Sequence, residues 1–210
     1  MKKRKMVLFA LGLGLARCSW AGARGSLDGV PSQTVKPAAV QARLSPSVTK
    51  IALKIDGGAD IEFHSSEDVF SATNIRFEHS DKNPVSITVE NNRAVLRQKG
   101  KRVHARYDVF IPKGRSVDIS VGAANFKGEM NEKSLEFTVG AMNLKARLTV
   151  ENTLEFTCGS ANFDAEIFKV KKLKLSCGSA GGKLVVPKGA RIPWTPFWFG
   201  LKIVKRGGNQ

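Results

Sequence analysis

The sequence predicts an all-β fold, a single-domain β-solenoid (a β-helix-like stack of short strands) with 18–19 residues per coil. Three observations carry this. One six-residue word recurs four times, as VGAANF at Val121–Phe126, VGAMNL at Val139–Leu144, CGSANF at Cys158–Phe163 and CGSAGG at Cys177–Gly182, at spacings of 18, 19 and 19 residues. Apolar residues stand at matching offsets from each word, so every unit has an inward face that it cannot bury alone. Elsewhere apolar and polar residues alternate, and no segment carries the stripe of an amphipathic helix.

The first 23 residues read as a secretory signal. Lys2, Lys3, Arg4 and Lys5 precede an apolar run from Met6 to Ala16, and Ala21-Gly22-Ala23 supplies an A-x-A cleavage site. The run has 11 residues, short of the ~20 a membrane-crossing helix needs. The rival reading is lipidation of Cys18, against which Arg17 counts, because a small residue should stand before a lipidated cysteine. Residues 1–23 hold five basic groups and no acid, so their removal takes the formal charge from +16 to +11. The expected location is outside the cytoplasm: periplasm, cell envelope or secreted, with a lipid anchor if Cys18 is acylated.

Residues 24–47 mix Gly, Pro, Ser, Ala and Gln without an apolar period and are expected to be a flexible linker. The solenoid domain is expected over residues 48–204, with a cap from about 187 and a tail at 205–210. It opens with alternating runs at Ile51/Leu53/Ile55, Ile61/Phe63, Val85/Ile87/Val89 and Val103/Ala105/Tyr107/Val109/Ile111.

In the repeats, Ile119, Phe137, Phe156 and Leu175 stand two residues before the word, and Val117, Leu135, Leu154 and Leu173 stand four before. The second residue of each word, Gly122, Gly140, Gly159 or Gly178, reads as a corner that needs either a positive φ or close approach of neighbouring coils. Asn125, Asn143 and Asn162 can form an amide ladder from coil to coil or serve simply as turn residues. An outward row of Asp118, Glu136, Glu155 and Lys174 needs relief from nearby cations, the alternative being a bound cation such as calcium. Lys127, Lys145, Arg147, Lys169, Lys171, Lys172, Lys174 and Lys183 form an expected basic outer face.

Cys158 and Cys177 occupy one position in successive coils. Stacked, in-register side chains rarely reach disulfide torsions, so free, buried thiols are expected. VFIPKG (Val109–Gly114) and LVVPKG (Leu184–Gly189) bracket the clear repeats. The segment after the second holds Trp194, Phe197, Trp198 and Phe199 and is expected to cover the open solenoid end, or else to contact a partner or membrane surface beside Lys202, Lys205 and Arg206.

Glycine-punctuated strands of about 19 residues per unit, the paired PKG strand ends and the export signal together resemble the bacterial putative-adhesin domains of unknown function, also called toast-rack domains. The likeness covers roughly Val48 to Val204. It implies a β-solenoid of the cell envelope, sometimes attached to envelope-stress sensing modules, with no catalytic residues to carry over. The sequence departs from that pattern between Ile51 and Val103, where the word is poorly followed.

Chemistry-bearing constellations are few. His64, His79 and His104 are scattered, and no H-E-x-x-H, C-x-x-C or G-x-S-x-G occurs. Asp118, Glu136 and Glu155 with Arg147 are the one group that a polysaccharide-active β-helix enzyme (lyase or hydrolase) could use. The expected function is instead that of an exported, non-catalytic envelope module, adhesin-like or scaffolding, with no cofactor and no metal. Its expected partner is an anionic envelope polymer, a membrane surface or an envelope protein, and not nucleic acid, from which export removes it.

Overall fold

The computed structural model describes residues 38–43, 47–66, 74–79, 85–90, 92–98, 104–192 and 200–207. Eleven strands form one sheet: β1 (Ala38–Arg43), β2 (Lys50–Ser66), β3 (Asn74–His79), β4 (Val85–Glu90), β5 (Arg93–Gln98), β6 (His104–Pro112), β7 (Ser116–Glu132), β8 (Ser134–Val150), β9 (Thr153–Lys169), β10 (Lys172–Val186) and β11 (Leu201–Lys205). Their order is β1-β3-β6-β2-β7-β8-β9-β10-β11, with β4 and β5 attached beside β2. The protein is an all-β solenoid.

The repeated words lie on β7, β8, β9 and β10, which run parallel and in register. Val121, Val139, Cys158 and Cys177 form one column, and Ile119, Phe137, Phe156 and Leu175 another. Each strand is long because it continues through its corner. In β8, Val139 is buried, Gly140 and Ala141 are both exposed, and Met142 is buried again. That one-residue change of phase lets both halves of a bent strand turn apolar side chains to the same interior. Ring contacts span it: Phe126 meets Phe137 edge-on at 5.2 Å and Phe156 meets Phe163 likewise at 5.2 Å, while Phe137 and Phe156 stack along the axis at 5.0 Å.

At the corners the backbones nearly touch. A Cβ on Gly140 would lie 2.4 Å from the carbonyl oxygen of Gly122, and one on Gly159 would lie 2.6 Å from that of Gly140. Gly178 and Gly122 continue the column at 2.8 and 3.0 Å, the latter against Gly57. None of the four has a positive φ, so lack of room is the reason for glycine. At the opposite edge, turns close each coil by donating to the turn below, as in Lys133 N–H to Arg115 O (2.8 Å), Asn152 N–H to Lys133 O (2.9 Å) and Lys172 N–H to Asn152 O (3.0 Å).

The front of the stack is built out of chain order. β2 is a full rung between β7 on one side and a split rung on the other, in which β5 pairs with Lys50–Ile55 and β6 with Gly58–Ser66. The glycine word is missing from this rung, whose two halves are separate strands, β5 and β6. Antiparallel strands extend it, β4 on β5 and β3 on β6, and β1 pairs with β3. The segment expected to be wholly linker, 24–47, thus contains a strand, because Ala38–Arg43 finds an open edge on β3. At the far end β11 adds half a rung over Gly182–Val186.

The cysteines correct an expectation. Cys158 and Cys177 are joined by a disulfide, with Cα atoms 4.5 Å apart. They immediately precede the corner glycines, where tight approach of the coils brings their backbones within bridging range. Replacing Cys158 by serine should lower stability by about 3 kcal/mol under non-reducing conditions, from the 19-residue separation it spans. Reduced wild type should show the same loss in urea unfolding; an unchanged midpoint after reduction would contradict it.

Among the described residues, Gln98 and Glu132 are polar side chains buried in the core. Tyr107 O–H donates to Gln98 Oε1, both buried in the split rung. Glu132 is also buried, and its Oε2 accepts the backbone N–H of Arg115 at 2.9 Å. Its neighbour in the next coil is Val150.

Candidate anion-binding groove

The run Phe168-Lys169-Val170-Lys171-Lys172-Leu173-Lys174 joins the end of β9 to the start of β10. β9 contains a bulge there. Leu148 pairs with Ile167 and Thr149 with Lys169, so Phe168 is an extra residue without a counterpart in β8. A bulged residue is freed from the alternation, and Phe168 is 43% exposed although large and apolar. The Arg206 guanidinium lies 4.2 Å from its ring centroid and donates to Glu166 Oε1.

After β10 the chain turns through Pro187–Ala190, where Ala190 N–H donates to Pro187 O at 3.1 Å, and returns beside the same run. Arg191 O accepts from Leu173 N–H at 3.2 Å, placing Arg191 next to Lys172. Between the two passes lies a groove of about 840 Å³. Its ionisable lining groups are Lys169, Lys171, Lys172, Lys174 and Arg191, with no acid among them.

Lys171 Nζ donates to Asn152 Oδ1 at 3.3 Å, and Lys174 is paired with Glu155. Among the described residues, Lys169, Lys172 and Arg191 have no carboxylate within salt-bridge distance. Val170, Leu173 and Ala190 are buried beneath the groove. The arrangement is a concentration of positive charge over an apolar floor, suited to holding an anion by Coulomb attraction and ammonium hydrogen bonds.

The expected basic face therefore separates into two regions. Lys169, Lys171, Lys172 and Lys174 come together in the groove. Lys127 and Lys145 are register neighbours on the other half of the coil, and Lys183 stands opposite Asp164. Arg147 donates to Glu129 at 3.2 Å. Lys145, Arg147 and Lys183 share their depression with Glu129, Asp164 and Glu166, so its charge is mixed. Sequence reasoning did not include Arg191, Phe168 or Arg206 in the site. The bulge that exposes Phe168 appears only once the strands are paired, and Arg191 joins through the turn after the second PKG. Cys18 lies outside the described residues, as do Trp194, Phe197, Trp198 and Phe199.

Among the described residues, two of the three carboxylates of the acidic row have cation partners. Asp118 is held by Lys50 at 3.1 Å and Arg93 at 3.2 Å, while Lys174 relieves Glu155. Arg147 is not beside these carboxylates, so the four side chains that the enzyme alternative would use are not assembled. The amide ladder forms in part: Asn143 Nδ2 donates to Asn125 Oδ1 at 2.8 Å and Asn125 Nδ2 to Asp60 Oδ1 at 2.7 Å, without a bond to Asn162. His64 Nε2 lies 3.4 Å from Asp108 Oδ1, with its ring stacked on Phe110. Among the described residues no group of three or more His, Cys, Asp or Glu could hold a metal ion.

Fold and site define a parallel-stacked β-solenoid with a cationic groove beside its terminal coil. Solved structures with a similar fold include a putative cell adhesion protein from Clostridium sporogenes, with TM-score 0.44 and 14% identity over 72% of this chain and 99% of that one. A putative adhesin from Parabacteroides merdae is similar with TM-score 0.31 and 14% identity, over 83% of this chain and 95% of that one. Another from Bacteroides fragilis gives TM-score 0.30 and 11% identity, over 82% and 96%. No protein-family model matches the chain, and no curated protein matches it.

Proposed function

We propose that this protein is an exported, non-catalytic, adhesin-like module of the cell envelope that holds an anionic envelope component in the groove between residues 168–174 and 187–192. The observation that carries the reading is the lining of that groove, in which every ionisable group is a cation. Export is supported by the N-terminal signal pattern, and the Cys158–Cys177 disulfide fits an oxidising compartment. Asp118 and Glu155 are paired with nearby cations and Asn125 and Asn143 bond along the stack, which supports a scaffold in preference to a polysaccharide-cleaving enzyme.

The test uses immobilised dextran sulfate as a polyanion over a salt series. Wild type should bind and lose affinity steeply with ionic strength. The triple variant Lys169→Ser/Lys172→Ser/Arg191→Ser should bind on the order of tenfold more weakly, whereas Lys127→Ser/Lys145→Ser should change binding less than twofold. Equal effects from both variants would contradict the assignment to the groove. Release of new reducing ends from an anionic polysaccharide would contradict the non-catalytic reading.

A further inference from the structure

The groove contains more than a polyanion requires. Pro187 and Ile192 line it alongside the buried Val170, Leu173 and Ala190, and Phe168 stands on its rim. In a regular parallel rung no residue would occupy the place of Phe168, since Ile167 and Lys169 already pair with consecutive residues of β8. The bulge therefore adds a phenyl ring to the surface beside Lys169. Arg206 covers one side of the ring, and Glu166 offsets that guanidinium. A soluble polyanion gains nothing from an exposed ring. A bilayer surface does, because an aromatic side chain partitions to the headgroup level while lysine and arginine stems reach the phosphates.

Resting on the reading above, we infer that the groove and Phe168 form a docking face for an anionic lipid bilayer. Lys169, Lys172 and Arg191 meet headgroup phosphates, and Phe168 lies among the headgroups. The charges of groove and membrane are complementary, and the exposed ring of Phe168 stands on the rim. Binding is peripheral. No helix among the described residues is long and apolar enough to cross a membrane, and the docking face requires none.

The experiment is flotation of the oxidised protein with vesicles of phosphatidylcholine alone or with about one part in four of phosphatidylglycerol. Wild type should float only with the anionic vesicles. Each cation removed should weaken that association about fivefold, so Lys169→Ser/Lys172→Ser/Arg191→Ser should lose on the order of a hundredfold. Phe168→Ser should lose roughly tenfold on vesicles, a larger loss than it shows on dextran sulfate. Its ring lies outside the core, and an unchanged urea midpoint checks that the variant folds.

Retention of dextran sulfate binding without flotation would overturn the membrane inference and leave the anion-binding function standing. Wild-type flotation by Phe168→Ser would overturn the docking face. Release from vesicles by millimolar glycerol 1-phosphate would also overturn it, in favour of a free phosphate ligand. Binding of neither probe by wild type would overturn both readings.

Discussion

Gly140→Val should destabilise the protein by about 4 kcal/mol or more. The first added carbon would lie 2.4 Å from the carbonyl oxygen of Gly122, well inside contact distance, and the two branches of valine would have still less room. The obstructing atom is backbone on an adjacent coil. It cannot swing away as a side chain would, so relief requires prising apart rungs held in register along their length. Since φ at Gly140 is not positive, the loss is steric. Gly189→Ala is the control: a Cβ there meets nothing within 4 Å, and its effect should stay within about 0.5 kcal/mol. Urea midpoints at constant slope would measure both. A Gly140→Val protein as stable as wild type would show that the coils can separate at the corner without loss.

The second large effect is on pH dependence. Burial pushes the Glu132 carboxyl from an ordinary 4.5 up to about 8, against the smaller opposing influences of the Arg115 N–H bond and the Arg115 charge. Between those two values the folded protein binds the proton and the unfolded chain does not. The stabilising contribution of the protonated form is therefore complete below about pH 4.5 and is lost as pH rises through 8. The difference corresponds to on the order of 5 kcal/mol. Wild type should lose unfolding free energy steadily across that range. Glu132→Gln keeps an acceptor for Arg115 N–H and removes the titration, so its stability should be flat over the same interval. Parallel profiles for the two proteins would assign the pH dependence elsewhere.

The central coils were legible because each rung repeats its neighbour. Once Val121, Val139, Cys158 and Cys177 are aligned, the inward columns, the glycine corners and the asparagine ladder follow from one offset. What lay hidden depends on departures from that repetition. β2 pairs with strands more than 40 residues later on one side, through β5, and with β7 on the other, and no local pattern records such partners. Phe168 looks like any alternating residue until pairing reveals it as an insertion. Glu132 falls on an inward position occupied by valine in the next coil, and a lone charged residue at a strand end reads as solvent-facing. The cysteine pair was placed correctly, but its chemistry was misjudged because the corner draws the coils closer than an average parallel ladder. The candidate groove was half legible: the lysine-dense run was visible, and the return of Arg191 beside it was not.

The position of β2 bears on how the molecule assembles. β2 ends at Ser66, but its partners on one side are β5 and β6 and on the other β7, so a nascent or refolding chain holds the first long strand unpaired until it reaches Arg93 and completes the second side only with β7. From β8 onward, by contrast, each new coil docks on the one just made and needs nothing downstream. The N-terminal half thus depends on non-local pairing, which forms slowly, whereas the repeats pair with their chain neighbours. A chain truncated after Glu132 retains every partner of β2, and one truncated before Arg93 leaves both of its edges open.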